Sequence, residues 1–191
     1  RATVLGGIAI LLIGVSSFFG FKYFKETQTL ANEAFYFEIE KIVDNAADGK
    51  PTSEVELILG KIGDGFQKER ASLLLADLHF QNQDYDKADA LYTKVMSTSS
   101  AGQVNYQSAQ VGLAYNSESN KQYQRAIDLF KTVIDANTDF PLFEVYWSLS
   151  RCYELNSDSS NALLILREMQ IKFAANPQME KVELRIKQLS V

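Results

Sequence analysis

Apolar residues follow two regimes along the chain. From Ala2 to Phe21 there are 20 residues without a charge, including the run from Val4 to Val15. An uncharged stretch of about 20 residues as a helix spans a hydrocarbon core of roughly 30 Å and pairs its own backbone amides. The pattern therefore predicts a transmembrane helix over residues 2–21. It ends in Phe18, Phe19, Gly20, Phe21, Lys22, Tyr23, Phe24 and Lys25, an aromatic and basic collar of the kind found at membrane interfaces. No small-x-small cleavage site closes the run, which favours a retained anchor over a signal peptide.

Beyond the collar, apolar positions recur at helical spacing: Leu30, Ala34 and Phe37, then Val55, Ile58 and Ile62. Strand-like alternation is nearly absent. Polar or Gly/Pro-rich breaks fall at 48–51, 60–65, 81–84, 97–102, 117–120, 135–140, 156–160 and 174–177. Breaks this short join antiparallel helical hairpins. Asn176-Pro177 reads as a helix cap followed by proline at the first helical position.

Three of the helical segments can be stacked on one another. The first carries Leu75, Ala76, His79, Tyr85, Ala88, Tyr92 and Val95; the second Val111, Gly112, Tyr115, Tyr123, Ala126, Phe130 and Val133. The third carries Leu149, Ser150, Tyr153, Ala162, Leu166 and Met169. In each, a small residue precedes an aromatic or His by three, and an Ala is followed by bulky residues at +4 and +7. This pattern resembles the tetratricopeptide repeat, whose small residues let helix A approach helix B. Ala88, Ala126 and Ala162 lie 38 and 36 apart, against a usual period of about 34. The excess is expected partly as two additional residues in the second A-to-B turn, near Ser119 and Asn120, and partly as longer B helices. The reading is all-α: an anchor and collar over 1–25, an N-terminal helical cap over 26–66, three degenerate repeats over 67–176 and a capping helix over 177–191.

Charge narrows the function. There are 19 Lys+Arg against 24 Asp+Glu, a net of -5, which argues against a reader of nucleic-acid phosphates. Setting aside Arg1, Lys22 and Lys25 leaves 16 basic and 24 acidic residues, so the body is acidic. Arg1 before the span and two lysines after it would, counted alone, put the body in the cytoplasm. The opening Arg in place of Met reads as a missing N-terminal flank that could reverse that count. The catalytic inventory is poor: one His, one Cys, no clustered metal ligands and no Gly-rich phosphate loop. His79 reads as a packed core side chain and Cys152 as a small buried hydrophobe. No catalytic residue, cofactor, metal or small-molecule substrate is expected.

What remains is a protein-binding surface. In tetratricopeptide stacks the A helices line a groove for an extended or helical peptide. Transferring that pattern selects Leu73, Asp77, Phe80, Tyr106, Asn116, Glu144, Trp147 and Arg151. Trp147, the one tryptophan, is of the type most enriched at binding hot spots, though it can also pack between repeats. Matching Lys or Arg positions are too few for a clamp on a carboxylate tail.

The collar Gly20-Phe21-Lys22-Tyr23-Phe24, the helix Asn32-Glu33-Ala34-Phe35-Tyr36-Phe37, the turn Asp48-Gly49-Lys50-Pro51 and the ending Leu184 to Ser190 together resemble the YfgM-like ancillary subunit family of the SecYEG translocon. That resemblance implies a single-pass protein of the bacterial inner membrane with its repeats in the periplasm. Membrane lipid would hold residues 2–21, and the protein partners would be SecYEG and a membrane-anchored prolyl-isomerase-like chaperone. Two other readings stay open: a structural subunit of an envelope secretion, motility or division complex, and an organelle-surface receptor for targeting sequences.

Overall fold

Short polar and Gly/Pro breaks punctuate the chain, and the computed structural model places helix ends at them. It describes residues 2–45, 51–136 and 139–190, with side chains from residue 14 onward. The helices are α1 (Ala2–Asp44), α2 (Thr52–Leu59), α3 (Phe66–Gln81), α4 (Tyr85–Thr98), α5 (Val104–Ser119), α6 (Tyr123–Asp135), α7 (Phe143–Leu155), α8 (Ser159–Lys172) and α9 (Met179–Leu189). The chain divides into two compact units, Arg1–Ala71 and Ser72–Val191, the division falling within α3.

In the first unit, the boundary drawn at residue 25 lies inside α1, which continues unbroken to Asp44. Its last turns pair with α2 as a hairpin that buries Tyr36 and Ile39 with Val55, Ile58 and Ile62. The Asn32 carboxamide accepts the Gly63 amide at 3.0 Å, and Arg70 donates to the Tyr36 hydroxyl at 2.7 Å while lying over its ring. Residues 26–66, read as a cap unlike any repeat, thus hold a helical hairpin. The predicted span over 2–21 falls largely on residues 1–13, which lie outside the described side chains. Among the described residues no helix is long and apolar enough to cross a membrane. Between residues 14 and 24, Val15, Phe18, Phe19, Phe21, Tyr23 and Phe24 are all exposed.

In the second unit, consecutive helices pack as hairpins from α4 to α9. Each of the three A-to-B turns ends its helix by the same device. Gln83, Lys121 and Ser157 adopt φ of 63°, 60° and 63°. The next residue's N–H then reaches back to the helix: Asp84 to the His79 carbonyl at 2.9 Å, Gln122 to Ser117 at 2.8 Å, Asp158 to Tyr153 at 2.8 Å. This is a Schellman closure, and a left-handed residue is what it requires. Glycine usually fills that place; here three side-chain-bearing residues hold it.

Those turns correct the repeat register. Gln83, Lys121 and Ser157 each stand five residues before Ala88, Ala126 and Ala162, so the second turn contains no insertion. Counting seven back from each gives Ala76, Ala114 and Ser150 as the small residues of α3, α5 and α7, all fully or almost fully buried. Gly112, the small residue that the sequence pattern selects in the second, lies two positions early. The B helices are ordinary, at 14, 13 and 14 residues. The surplus over the usual period therefore lies between each B helix and the next A-helix small residue: in the B-to-A connections and, for the first, also in the 16-residue length of α5. Under the corrected register Leu75, Leu113 and Leu149 align, as do Tyr92, Phe130 and Leu166, and all six are buried. Ahead of α9, Asn176 accepts the Gln178 amide at 2.8 Å through its side chain and the Met179 amide at 3.1 Å through its carbonyl. The expected cap followed by proline at the first helical position is not what forms: regular helix begins at Met179, Gln178 holds the N-cap place, and Asn176-Pro177 make the turn before it.

Candidate protein-binding surface

The small A-helix residues bring neighbouring helices close, and that closeness positions the surface side chains. Gly112 shows how tight the approach is: a Cβ there would lie 2.4 Å from the Tyr92 ring. Tyr92 in turn donates its phenol to Asp77 at 2.5 Å. Burial and the facing carboxylate push the Tyr92 phenol far above its ordinary range, so it remains a neutral donor. Asp77, expected to face a ligand, instead spends one oxygen on this α3–α4 contact. Leu73 and Phe80 are partly buried against the same cluster of Ala76, Ala88, Tyr92, Val95 and Leu113, and Phe80 lies tilted against Tyr85 at 6.1 Å.

Helix α7 carries the part of the predicted set that comes together. Glu144, Trp147 and Arg151 lie along one face at spacings of three and four. Lys181 of α9 pairs with Glu144 at 3.1 Å and stands 4.9 Å from the Trp147 ring centroid. Trp147 is partly buried, with one side on the cluster of Phe143, Tyr146, Leu166, Met169 and Val182. Arg151 grips Glu118 of α5 with both arms, at 2.5 and 2.7 Å. Glu154 pairs in the same bidentate way with Arg185 of α9. These pairs tie successive A helices together and leave each cation on this face already matched to a carboxylate. Exposed pairs of this kind contribute at most about 1 kcal/mol each, so their effect here is mainly to hold geometry. They also make the face a poor clamp for a carboxylate tail.

Besides Leu73, Asp77 and Phe80, two more predicted residues do not join this face. Asn116 is buried, and its amide donates to the Tyr85 carbonyl at 2.9 Å, closing the α4–α5 packing. Tyr106 is partly buried on the first turns of α5. Both were placed with the two-residue slip in register. Moving them by two brings Ser108 and Glu118 to the A-helix face, and the same correction adds Val111 and Tyr115. Tyr115 accepts the Ser148 hydroxyl at 3.2 Å and meets Phe130 edge-on at 5.3 Å. The signal that would have found them is the constant distance of the turn from the B-helix alanine.

The candidate chemical residues are packed ones. His79 is buried, with Nδ1 3.3 Å from an Asp84 carboxylate oxygen. Cys152 is buried, and desolvation, with the Glu118 charge adding to it, pushes its thiol up to about 12. Alkylation of the folded protein by iodoacetamide at pH 8 is therefore expected to be at least ~100-fold slower than in urea, because the thiolate is the nucleophile. Comparable rates with and without urea would contradict the buried placement. The linkage has one sign. Above about pH 9 the unfolded chain releases a proton that the folded chain retains to about pH 12, so this group makes stability fall as pH rises through that window.

A family model described as the tetratricopeptide repeat-like domain matches residues 1–140. The chain belongs to this family. The tetratricopeptide-like fold extends beyond that match: crystal structures of nearly identical TPR-like repeats from a Podosopora anserina protein named for kinesin light chain, and of a single-substitution form of it, align with TM-scores of 0.69. Each is 15% identical in sequence and covers 82% of this chain and 84% of that one. At this identity the likeness is one of fold. No curated protein matches the chain by sequence. Tetratricopeptide-like domains are generally protein-interaction modules, and the hairpins of α3 to α9 place this chain among them.

Proposed function

We propose that this tetratricopeptide-like protein is a non-catalytic, membrane-anchored adaptor. Its A-helix face holds a segment of a partner protein while residues 2–21 keep the domain at a bilayer. The observation that carries the binding half is Trp147, held half-open on α7 between Glu144, Lys181 and Arg151. A rigid aromatic side chain in a frame of paired charges is a common form of binding hot spot. The anchoring half is supported by the uncharged run Ala2–Phe21 and by the exposed aromatic residues that follow it. Holding the domain at a membrane raises its effective concentration for weak contacts there.

The resemblance to YfgM-like subunits supports a more specific placement: the bacterial inner membrane, with the repeats in the periplasm, beside SecYEG and a membrane-anchored prolyl-isomerase-like chaperone. Purification of the full-length protein from its own membranes in mild detergent tests it. Recovery of the SecYEG channel with such a chaperone is the expected result. Recovery of a different envelope complex in fixed stoichiometry would replace it with the structural-subunit reading. Once a partner is in hand, Trp147→Ala is expected to weaken its binding by about 1–2 kcal/mol, a loss of roughly five- to thirtyfold in affinity, with the fold kept. Unchanged affinity would remove Trp147 from the binding surface.

A further inference from the structure

Along α1, the residues packed within the Arg1–Ala71 unit and those left outside occupy opposite faces. At about 100° per residue, Asn32, Phe35, Tyr36 and Ile39 point one way. Tyr36 and Ile39 are buried, Asn32 binds the Gly63 amide, and Phe35 lies beneath Lys61 at 5.6 Å. On the other side Tyr23, Leu30 and Phe37 follow at intervals of seven residues and are 70%, 60% and 54% exposed. Thr27 and Ala34 complete the stripe, both exposed. The Thr27 hydroxyl is turned back onto the Tyr23 and Phe24 carbonyls of its own helix, each at 2.9 Å, and so needs no partner from outside. Large apolar residues every seven, with a small one four positions after the first two and Lys41 after the third, form one half of a helix-packing seam.

The flanks of that seam are acidic. Glu26, Glu33 and Glu40 run beside it at the same seven-residue interval, with Asp44 continuing the rail, and Glu38 stands on the other flank. Glu40 accepts the Tyr36 hydroxyl at 3.0 Å, whereas Glu26, Glu33 and Glu38 hold no ion pair among the described residues. Lys41 at the end of the stripe and Lys22, four residues before Glu26, are the cations near its outer face, against five acidic side chains. We propose that this stripe docks a basic amphipathic helix of another protein. Its apolar residues pack among Tyr23, Leu30, Ala34 and Phe37, and its lysines or arginines reach the flanking glutamates.

Charge decides among the occupants. A second copy packed parallel would bring Glu33 against Glu38 of its mate, and packed antiparallel it would set one glutamate rail against the other; both repel. An anionic lipid surface is repelled by the same rail. A basic helix alone gains from both the apolar stripe and its borders. The site is separate from the A-helix face of the second unit and does not depend on what that face binds.

The test uses the full chain in nanodiscs of zwitterionic lipid and a fluorescent peptide of about 18 residues, with leucine at the seam positions and lysine on both flanks, read by anisotropy against empty nanodiscs. Saturable binding is expected, weakened roughly tenfold or more by Leu30→Ser with Phe37→Ser and, separately, by Glu26→Lys with Glu33→Lys, while Trp147→Ala leaves it unchanged. All four positions are at least partly exposed, so these variants should keep the native melting curve. Absence of saturable binding would overturn the proposal, as would native affinity in both double variants or equal binding of a peptide with glutamate in place of lysine. Sedimentation showing a dimer that the Leu30→Ser, Phe37→Ser variant abolishes would assign the stripe to a second copy instead. Loss of binding to anionic vesicles in that variant would assign it to lipid.

Discussion

Replacing Gly112 with alanine is expected to lower the stability of the Ser72–Val191 unit by about 1–3 kcal/mol, visible as a clear drop in the urea midpoint. A helical Gly→Ala change ordinarily stabilises, by roughly 1 kcal/mol, through helix propensity and chain entropy. Here the new methyl would sit 2.4 Å from one carbon of the Tyr92 ring and 2.6 Å from another. The ring cannot move aside cheaply, since Tyr92 is buried and its hydroxyl is held by Asp77. Overpacking therefore outweighs propensity, and the sign of the change is reversed. A double-mutant cycle separates the two effects: in a Tyr92→Leu background the smaller side chain makes room, and Gly112→Ala should cost little or stabilise. A Gly112→Ala variant as stable as the parent would mean that α4 and α5 are farther apart than the structure places them.

Gly112 also explains why the repeat register was hard to read. Two small residues, Gly112 and Ala114, lie two apart in α5, and both answer a packing need. Ala114 fills the place shared with Ala76 and Ser150, while Gly112 accommodates the aromatic ring of the preceding B helix. An aromatic at three residues from each small position, as Tyr115 stands to Gly112, made the wrong choice look regular. Turn geometry resolves it, because a Schellman closure relates a carbonyl to an amide five residues on and tolerates no slack. Its usual marker, glycine, is missing at Gln83, Lys121 and Ser157, so nothing in composition announces the turn.

The hairpin order itself was legible, because each break contains residues that stop or cap helices and each helix keeps an apolar face. Less legible was the first hairpin. Tyr36, Ile39, Val55 and Ile58 carry no small-residue marker, and their packing is secured by polar and cation-ring contacts from Asn32 and Arg70. The binding face was legible only where the register was right. Glu144, Trp147 and Arg151 share one side of α7, whereas Asn116 closes an interior contact. The pairing of Arg151 with Glu118 and of Glu154 with Arg185 joins residues 33 and 31 apart and becomes visible only once the helices are stacked.

Phe130→Ala is expected to be the most damaging single truncation in this stack, at about 3–5 kcal/mol. The side chain is fully buried among Ala114, Ile127, Val133, Val145, Leu149 and Cys152, and Tyr115 meets its ring edge-on. It stands on α6, between α5 and α7, so the cavity would loosen a hairpin and its junction with the next one together. In a repeat stack, stability is a sum of hairpin terms and nearest-neighbour junctions, and an interior lesion removes both kinds. A cavity at the end of the stack should behave differently. Val182→Ala on α9 loosens the end cluster of Phe143, Tyr146, Leu166 and Met169, and its effect should be fraying of the last helix. Amide exchange distinguishes the two: Phe130→Ala should lower protection across α4 to α7 together, whereas Val182→Ala should lower it in α9 first. Equal, chain-wide loss of protection in both variants would mean that the unit unfolds as one cooperative block, and that the junctions between hairpins are as strong as the hairpins themselves.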